Sequence, residues 1–348
     1  MKKNLRIFLL LGIAFAIGAV SLKAQQMPPI PVDNQVRIGK LENGLTYYIR
    51  QNKLPANRAN FYIVQKVGSI LEEESQRGLA HFLEHMAFNG SKNFPADETG
   101  PSIVSYLESI GVKFGSNLNA ETGMDHTIYN INDVPTVNQG AIDSCLLILH
   151  DWAGSLLLRE KEIDKERKVI HEEWRTGQTG QMRMLEESAP VIFKDSKYAE
   201  RFPIGLMSVV DNFEPQVLRD YYHKRYRPDL QGIIVVGDID PEQIEQQIQT
   251  LFSDRSKPVN PAERVYETIP DNDEPLISFV ADKEIQATNI LVFFKRDPIP
   301  ASVKANLDYL IIEYAQQLIQ QMLNNRFQEM LEQGNSPFLF AMVRNGDY

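Results

Sequence analysis

Cysteine is nearly absent from this sequence. A single Cys145 occurs in 348 residues, so no intrachain disulfide can form and stability has to come from a buried core. Cys145 lies in an apolar helical pattern with Ala141, Leu146, Ile148, Leu149 and Trp152, the setting of a small core side chain rather than a nucleophile. Basic charge is also short. With 36 Lys and Arg against 46 Asp and Glu, the net charge of -10 offers no broad basic face to displace counterions from phosphates, which argues against a general nucleic-acid binder. No Gly-rich loop stands at a strand-to-helix turn, so a phosphate cradle is not expected. No Gly-x-Ser-x-Gly elbow is present either, which removes the usual serine-hydrolase reading. The apolar run 7–20 is shorter than the ~20 residues a membrane-spanning helix needs.

That run is informative in another way. Lys2, Lys3 and Arg6 precede it, and Ser21-Leu22-Lys23-Ala24-Gln25 follows, the layout of a cleaved secretory signal over residues 1–24. The expected location is periplasmic or extracellular, with no membrane span once the signal is removed. Residues 25–35 are Pro-rich and polar and read as a flexible leader.

The remainder has the composition of a globular chain, 43% hydrophobic and 24% charged. Strand patterns at Val36–Lys40 and Leu45–Arg50 flank Asn43-Gly44, a tight-turn dipeptide, and a third follows at Asn60–Val67. Helical patterns cover Leu79–Phe88, Ile103–Ile110, Gln139–Leu157, Ile163–Thr176, Gln216–His223 and Glu242–Leu251. Lys113–Asn119 and His126–Ile131 read as paired strands, and Gly232–Val236 as a buried one. Hairpins mixed with long helices predict an α+β fold, a mostly antiparallel sheet packed with helices. A domain is expected over 36–255, followed by a polar, Pro-rich linker at 256–274. The start of a second α+β domain of homologous type, cut short by the end of the sequence, is expected from 275, with strands at Leu276–Ala281 and Asn289–Phe294, a core helix at Ser302–Glu332 and a strand-like Phe338–Val343.

The chemistry concentrates at His81-Phe82-Leu83-Glu84-His85. Residues four apart share a helix face, so His81 and His85 project together with Glu84 beside them. Two imidazoles at that spacing suit a tetrahedral zinc ion, and the carboxylate between them suits a general base for water. Ala80, Phe82, Leu83, Met86, Ala87 and Phe88 make the helix apolar nearly all round, which predicts burial, and buried polar groups need partners. A third ligand is expected from the Glu-rich helix at 160–175. There Ile163, Ile170 and Trp174 define the apolar stripe, and Glu166 and Glu173 fall on or beside it while Glu172 points away. His126, His150, His171 and His223 are scattered and read as structural or surface residues.

The stretch Gly78-Leu79-Ala80-His81-Phe82-Leu83-Glu84-His85-Met86-Ala87-Phe88-Asn89-Gly90, with Lys92-Asn93 after it, resembles the zinc-site signature of the pitrilysin/insulinase family of metallopeptidases. Glu166 followed by Glu173 resembles that family's second motif, and Tyr226-Arg227-Pro228-Asp229 and Val235-Val236-Gly237-Asp238 continue the likeness. The resemblance implies one Zn2+ per chain held by His81, His85 and Glu173, with Glu166 in a supporting position and Glu84 as the catalytic base. It also implies that Asn119-Ala120 lies on an edge strand that binds peptide substrate in extended form. The expected activity is that of a zinc endopeptidase acting on peptides or unfolded segments. In the family two homologous halves enclose a chamber, and this sequence resembles one of them. A second chain or a homo-oligomer is therefore expected to supply the other half, and the alternative function is a non-catalytic or incomplete half that needs such a partner.

Overall fold

The computed structural model describes residues 28–346; the signal expected at 1–24 lies outside the described residues. Six strands form a single sheet: β1 (Val36–Lys40), β2 (Thr46–Gln51), β3 (Arg58–Gln65), β4 (Leu118–Thr122), β5 (Thr127–Pro135) and β6 (Gln231–Gly237). Their order is β1-β2-β6-β3-β5-β4. Every pairing is antiparallel except β2 with β6. The β1–β2 hairpin turns at Asn43-Gly44 as its dipeptide predicts, with Gly44 at φ +103°.

The helices are α1 (Leu79–Met86), α2 (Ile103–Ser109), α3 (Gln139–Gly154), α4 (Glu160–Gly177), α5 (Gly180–Ile192), α6 (Met207–Val210), α7 (Pro215–Arg225) and α8 (Pro241–Phe252), followed by α9 (Ala301–Lys304) and α10 (Leu307–Glu332). The sheet is two-sided in the way its alternating sequence requires. Phe61, Ile63, Tyr129, Ile131, Ile233 and Val235 are fully buried, while their strand neighbours are only partly covered. α3 packs on β3 and β5, α8 on β2 and on α3, and α1 against β4, α4 and α7. Each large apolar side chain buried in this way contributes roughly 1.5–3 kcal/mol relative to exposure. Cys145 is fully buried on α3 and its thiol pKa is pushed well up by burial, in keeping with a core role.

Contacts divide the chain into one body at Asp33–Val292 and a second built from residues 28–32 and 293–346. Within the second, Ile30 donates its N–H to Ala305 O and Leu307 to Pro28 O. Three sequence expectations fail in the C-terminal part. Leu276–Ala281, Asn289–Phe294 and Phe338–Val343 form no strands, because a strand needs a hydrogen-bonded neighbour and none pairs with them among the described residues. Their side chains stand in solvent, as at Phe279, Phe294 and Leu339. α10 forms, but buries none of its residues, so the expectation of a core helix is also corrected: Leu310, Ile311, Leu318 and Ile319 are all exposed. Two smaller differences lie in the first body. The strand expected at Lys113–Asn119 begins at Leu118, and α5 was not anticipated because Gly180 and Pro190 break its helical pattern. Among the described residues, no helix is long and apolar enough to cross a membrane.

Candidate metal centre

α1 carries the central residues, and its burial follows from its sequence. Leu79, Ala80, Phe82, Leu83 and Met86 are all buried, which leaves His81 and His85 on the one face that opens toward α4. The helix begins after Gly78, whose φ of +107° is costly for any residue with a Cβ. At its other end Trp152 donates its indole N–H to Ala87 O at 3.1 Å. The exit loop is tied to α3 by Asp151, which is fully buried and accepts bonds from Ser91 Oγ at 2.6 Å and from Asn93 N at 2.8 Å.

On α4, Glu166 and Glu173 are seven residues apart and share the face turned toward α1. His85 Nε2 lies 3.3 Å from Glu173 Oε2, and His81 Nε2 lies 3.6 Å from Glu173 Oε1. Among the described residues these three form the one set of metal-capable side chains whose donor atoms converge, all within 4.8 Å of one another. In a tetrahedral zinc site with bonds of about 2.0–2.2 Å the donors stand roughly 3.4 Å apart. The two imidazoles and the carboxylate therefore fit zinc in both donor chemistry and spacing. His126, His150, His171 and His223 take no part; His150 pairs with Asp254 and His171 with Asp211.

Glu166 sits behind His85. Its Oε1 lies 2.8 Å from His85 Nδ1, and its Oε2 accepts from Asn89 Nδ2 at 2.7 Å. That bond orients the ring so that Nε2 faces Glu173, the arrangement expected of a carboxylate supporting a metal-ligating histidine. Glu173 itself is half exposed rather than buried on the stripe, its side chain 49% accessible, so the face it presents is a solvent-reachable one.

Electrostatics distinguish the two histidines. Burial and the neighbouring His85 push His81 down to about 4, which leaves its imidazole neutral at neutral pH. Burial opposes the charge on His85 as well, but its bonds to Glu166 and Glu173 outweigh that and raise it to about 9. Glu173 is held below the usual glutamate range, first by its bond to His85. Glu84 is moved up by burial, partly offset by His85 and by a hydrogen bond from Thr122. Its Oε2 lies 3.9 Å from His81 Nε2 and accepts from Thr122 Oγ1 at 3.0 Å. Thr122 was not singled out in the sequence; its signal is only that it ends the strand on which Asn119 and Ala120 lie.

β4 is an edge strand, paired with β5 on one side. Asn132 donates to Asn117 O and Gly123 to His126 O, which marks the odd-numbered residues of this ladder as the bonded ones. Asn119 is thus turned toward Asn130 of β5, whereas the N–H and C=O of Ala120 and Thr122 point to the open edge.

The sequence profile of insulinase (peptidase family M16) matches residues 47–194, and that of the peptidase M16 inactive domain matches residues 212–347. The chain is 32% identical over 334 residues to the probable zinc protease PqqL of Haemophilus influenzae, covering 94% of this chain and 35% of that protein. It is similar to the crystal structure of the periplasmic protease PqqL from Escherichia coli, with a TM-score of 0.74 and 31% identity, over 88% of this chain and 33% of that one. The first half of that protease, solved separately, aligns with a TM-score of 0.73 at 29% identity, covering 90% of this chain and 65% of that one. The chain spans about a third of the length of the curated relatives it matches. With both family profiles matched in order along the sequence and the fold shared with about a third of a solved relative, this chain belongs to the insulinase family of peptidases, peptidase family M16.

Proposed function

We propose that the chain is the metal-bearing part of a zinc endopeptidase, with His81, His85 and Glu173 as ligands and Glu84 as general base. The observation that carries this reading is the convergence of the two Nε2 atoms and the Glu173 carboxylate at 3.3 and 3.6 Å, with Glu84 beside them. Zinc, when bound, supplies Lewis acidity, making water nucleophilic near neutral pH and polarising a scissile carbonyl. The rest is the work of the chain's own groups. Glu84 takes a proton from the attacking water on its carboxylate and passes it to the leaving amine nitrogen. Burial favours that role, since it raises the affinity of Glu84 for a proton above that of a solvated carboxylate. Thr122 Oγ1 holds Glu84 Oε2 in place while the carboxylate is charged. Glu166 fixes the His85 ring through Nδ1.

The substrate in this reading is an extended peptide added to β4, bonded to the outward N–H and C=O of Ala120, with the exposed Asn119 side chain as a second contact. Residues 36–255 are the zinc-binding domain, 256–274 a linker, and the stretch from 275 belongs to a second domain. A periplasmic location after removal of residues 1–24 is in keeping with the relative of known structure, a periplasmic protease.

A second reading is favoured by one specific fact, the chain's coverage of only a third of its relatives' length. In it the site binds metal but cleaves nothing until a partner chain, or a second copy, encloses the substrate. The two readings separate on one preparation: purified chain incubated with a quenched-fluorescent peptide library, with zinc content measured and Glu84→Gln run alongside. Zinc-dependent cleavage lost in the variant supports the working peptidase. Bound zinc without cleavage supports the incomplete half, and absence of zinc from a folded chain contradicts both.

A further inference from the structure

α1 starts without a cap of its own. Its N-cap residue is Gly78, which has no side chain, so the first N–H groups of the helix must find acceptors elsewhere. They find one carboxylate. Glu72 Oε2 accepts from Gly78 N at 2.9 Å, and Glu72 Oε1 accepts from Ala80 N at 2.7 Å. Glu72 is fully buried, unlike its neighbours Glu73 and Glu74, which are exposed. Burial raises the proton affinity of the Glu72 carboxyl, and the two backbone bonds it accepts from Ala80 and Gly78 oppose that rise.

The segment that carries Glu72 is itself held firmly. Three consecutive carbonyls accept from three cations: Ile70 O from Lys197 Nζ at 2.6 Å, Leu71 O from Arg225 Nη2 at 2.7 Å, and Glu72 O from Arg201 Nε at 3.4 Å. Ser69 Oγ donates to Arg201 O at 2.5 Å, closing the same junction from the other side. A second anchor is steric. A Cβ on Gly205 would lie 2.2 Å from Gly78 Cα, so the backbone of that loop presses directly on the start of α1. His81 follows one residue after the N–H that Glu72 holds.

We propose that Glu72 is a positioning residue of the metal centre, its carboxylate pinning the first turn of α1 and so fixing His81 and His85 along the helix axis against Glu173. A slip of the helix along its axis would carry both imidazoles away from a ligand fixed on α4, because α1 has only eight residues and its N-cap Gly78 supplies no side-chain cap. This inference rests on the metal centre proposed above. Glu72→Gln keeps the shape but replaces one acceptor by an NH2 group that faces a backbone N–H donor, so one of the two bonds is lost.

The test uses the full chain. Zinc affinity is measured by chelator competition, the d–d absorption of the Co2+-substituted protein is recorded, and the metal-free forms are melted in parallel. Glu72→Gln is expected to weaken zinc binding roughly 10–100-fold, the scale of a lost supporting group at a metal site, and to shift the Co2+ spectrum. Unchanged affinity and an unchanged spectrum overturn the proposal, whatever the melting temperature does, because a purely structural residue would move only the melt. Glu72→Asp, which keeps the carboxyl group and shortens the reach by one methylene, is made alongside and is expected to weaken binding too. If neither variant folds, Glu72 serves the whole fold and the specific claim is overturned. His85→Ala is the control: if it retains zinc, the proposed ligand set fails, and the result is read separately from that of Glu72.

Discussion

Thr122 and Glu84 are joined by a single hydrogen bond, Oγ1 to Oε2 at 3.0 Å, and through it the open edge strand touches the one buried carboxylate on α1. Losing a hydrogen bond to a charged acceptor costs about 1.5–3 kcal/mol. Thr122→Val, which keeps the shape, is expected to lower kcat by roughly 10–100-fold. Thr122→Ser keeps the hydroxyl and should restore most of it. Equal activity of all three proteins in steady-state peptide cleavage would remove Thr122 from the account.

Glu166 is expected to matter for metal and not for chemistry. Glu166→Gln weakens the bond that orients His85, and loss of such a supporting carboxylate costs roughly 10–100-fold in metal affinity. The check is chelator competition, followed by activity at saturating zinc. Full activity at saturation with weakened binding is the expected pattern. A variant that binds zinc normally contradicts the placement of Glu166 behind His85 Nδ1.

Metal uptake should release protons, and the sign follows from His85. In the metal-free chain its pKa is raised to about 9 while that of His81 is lowered to about 4, so at pH 7 His85 carries a proton and His81 does not. Binding of a cation at Nε2 must expel that proton, giving about one proton released per ion. Calorimetric titration in two buffers of different ionisation enthalpy measures it, and no release would contradict the assignment. The same raised pKa stabilises the metal-free fold fully below pH 6.5, and that contribution is lost as pH rises through about 9. Metal-free melts across this window are expected to fall with pH.

Docking of a peptide on β4 predicts a split in the kinetic constants. Ala120→Pro removes an N–H that points to the open edge while sparing the β4–β5 ladder. KM should rise severalfold with kcat much less affected. The reverse pattern, a lower kcat at unchanged KM, would mean that the substrate lies elsewhere.

Much of the site was legible because the physics behind it is local. Helical spacing alone puts His81 and His85 on one face, and the apolar residues around them predict the burial that is found. Glu166 and Glu173 were separable from Glu172 by angle round the helix, although which of the two faces the histidines directly came only from family resemblance. Glu72 and Thr122 were not legible. Glu72 is one of three consecutive glutamates, and only tertiary packing decides which of them turns inward. Thr122 reaches Glu84 across elements far apart in sequence. In the C-terminal part the expected strands fail for one reason. Short apolar runs at 276–281 and 289–294 are strand-like in themselves, but a sheet requires partners that sequence pattern does not supply.

The most direct test of the metal centre is zinc stoichiometry after exhaustive dialysis, measured on the intact chain, His81→Ala, His85→Ala and Glu84→Gln. One ion per chain in the intact protein and in Glu84→Gln, with none retained by either histidine variant, is the predicted result. Zinc retained undiminished when His81 or His85 is removed would contradict the account at its centre.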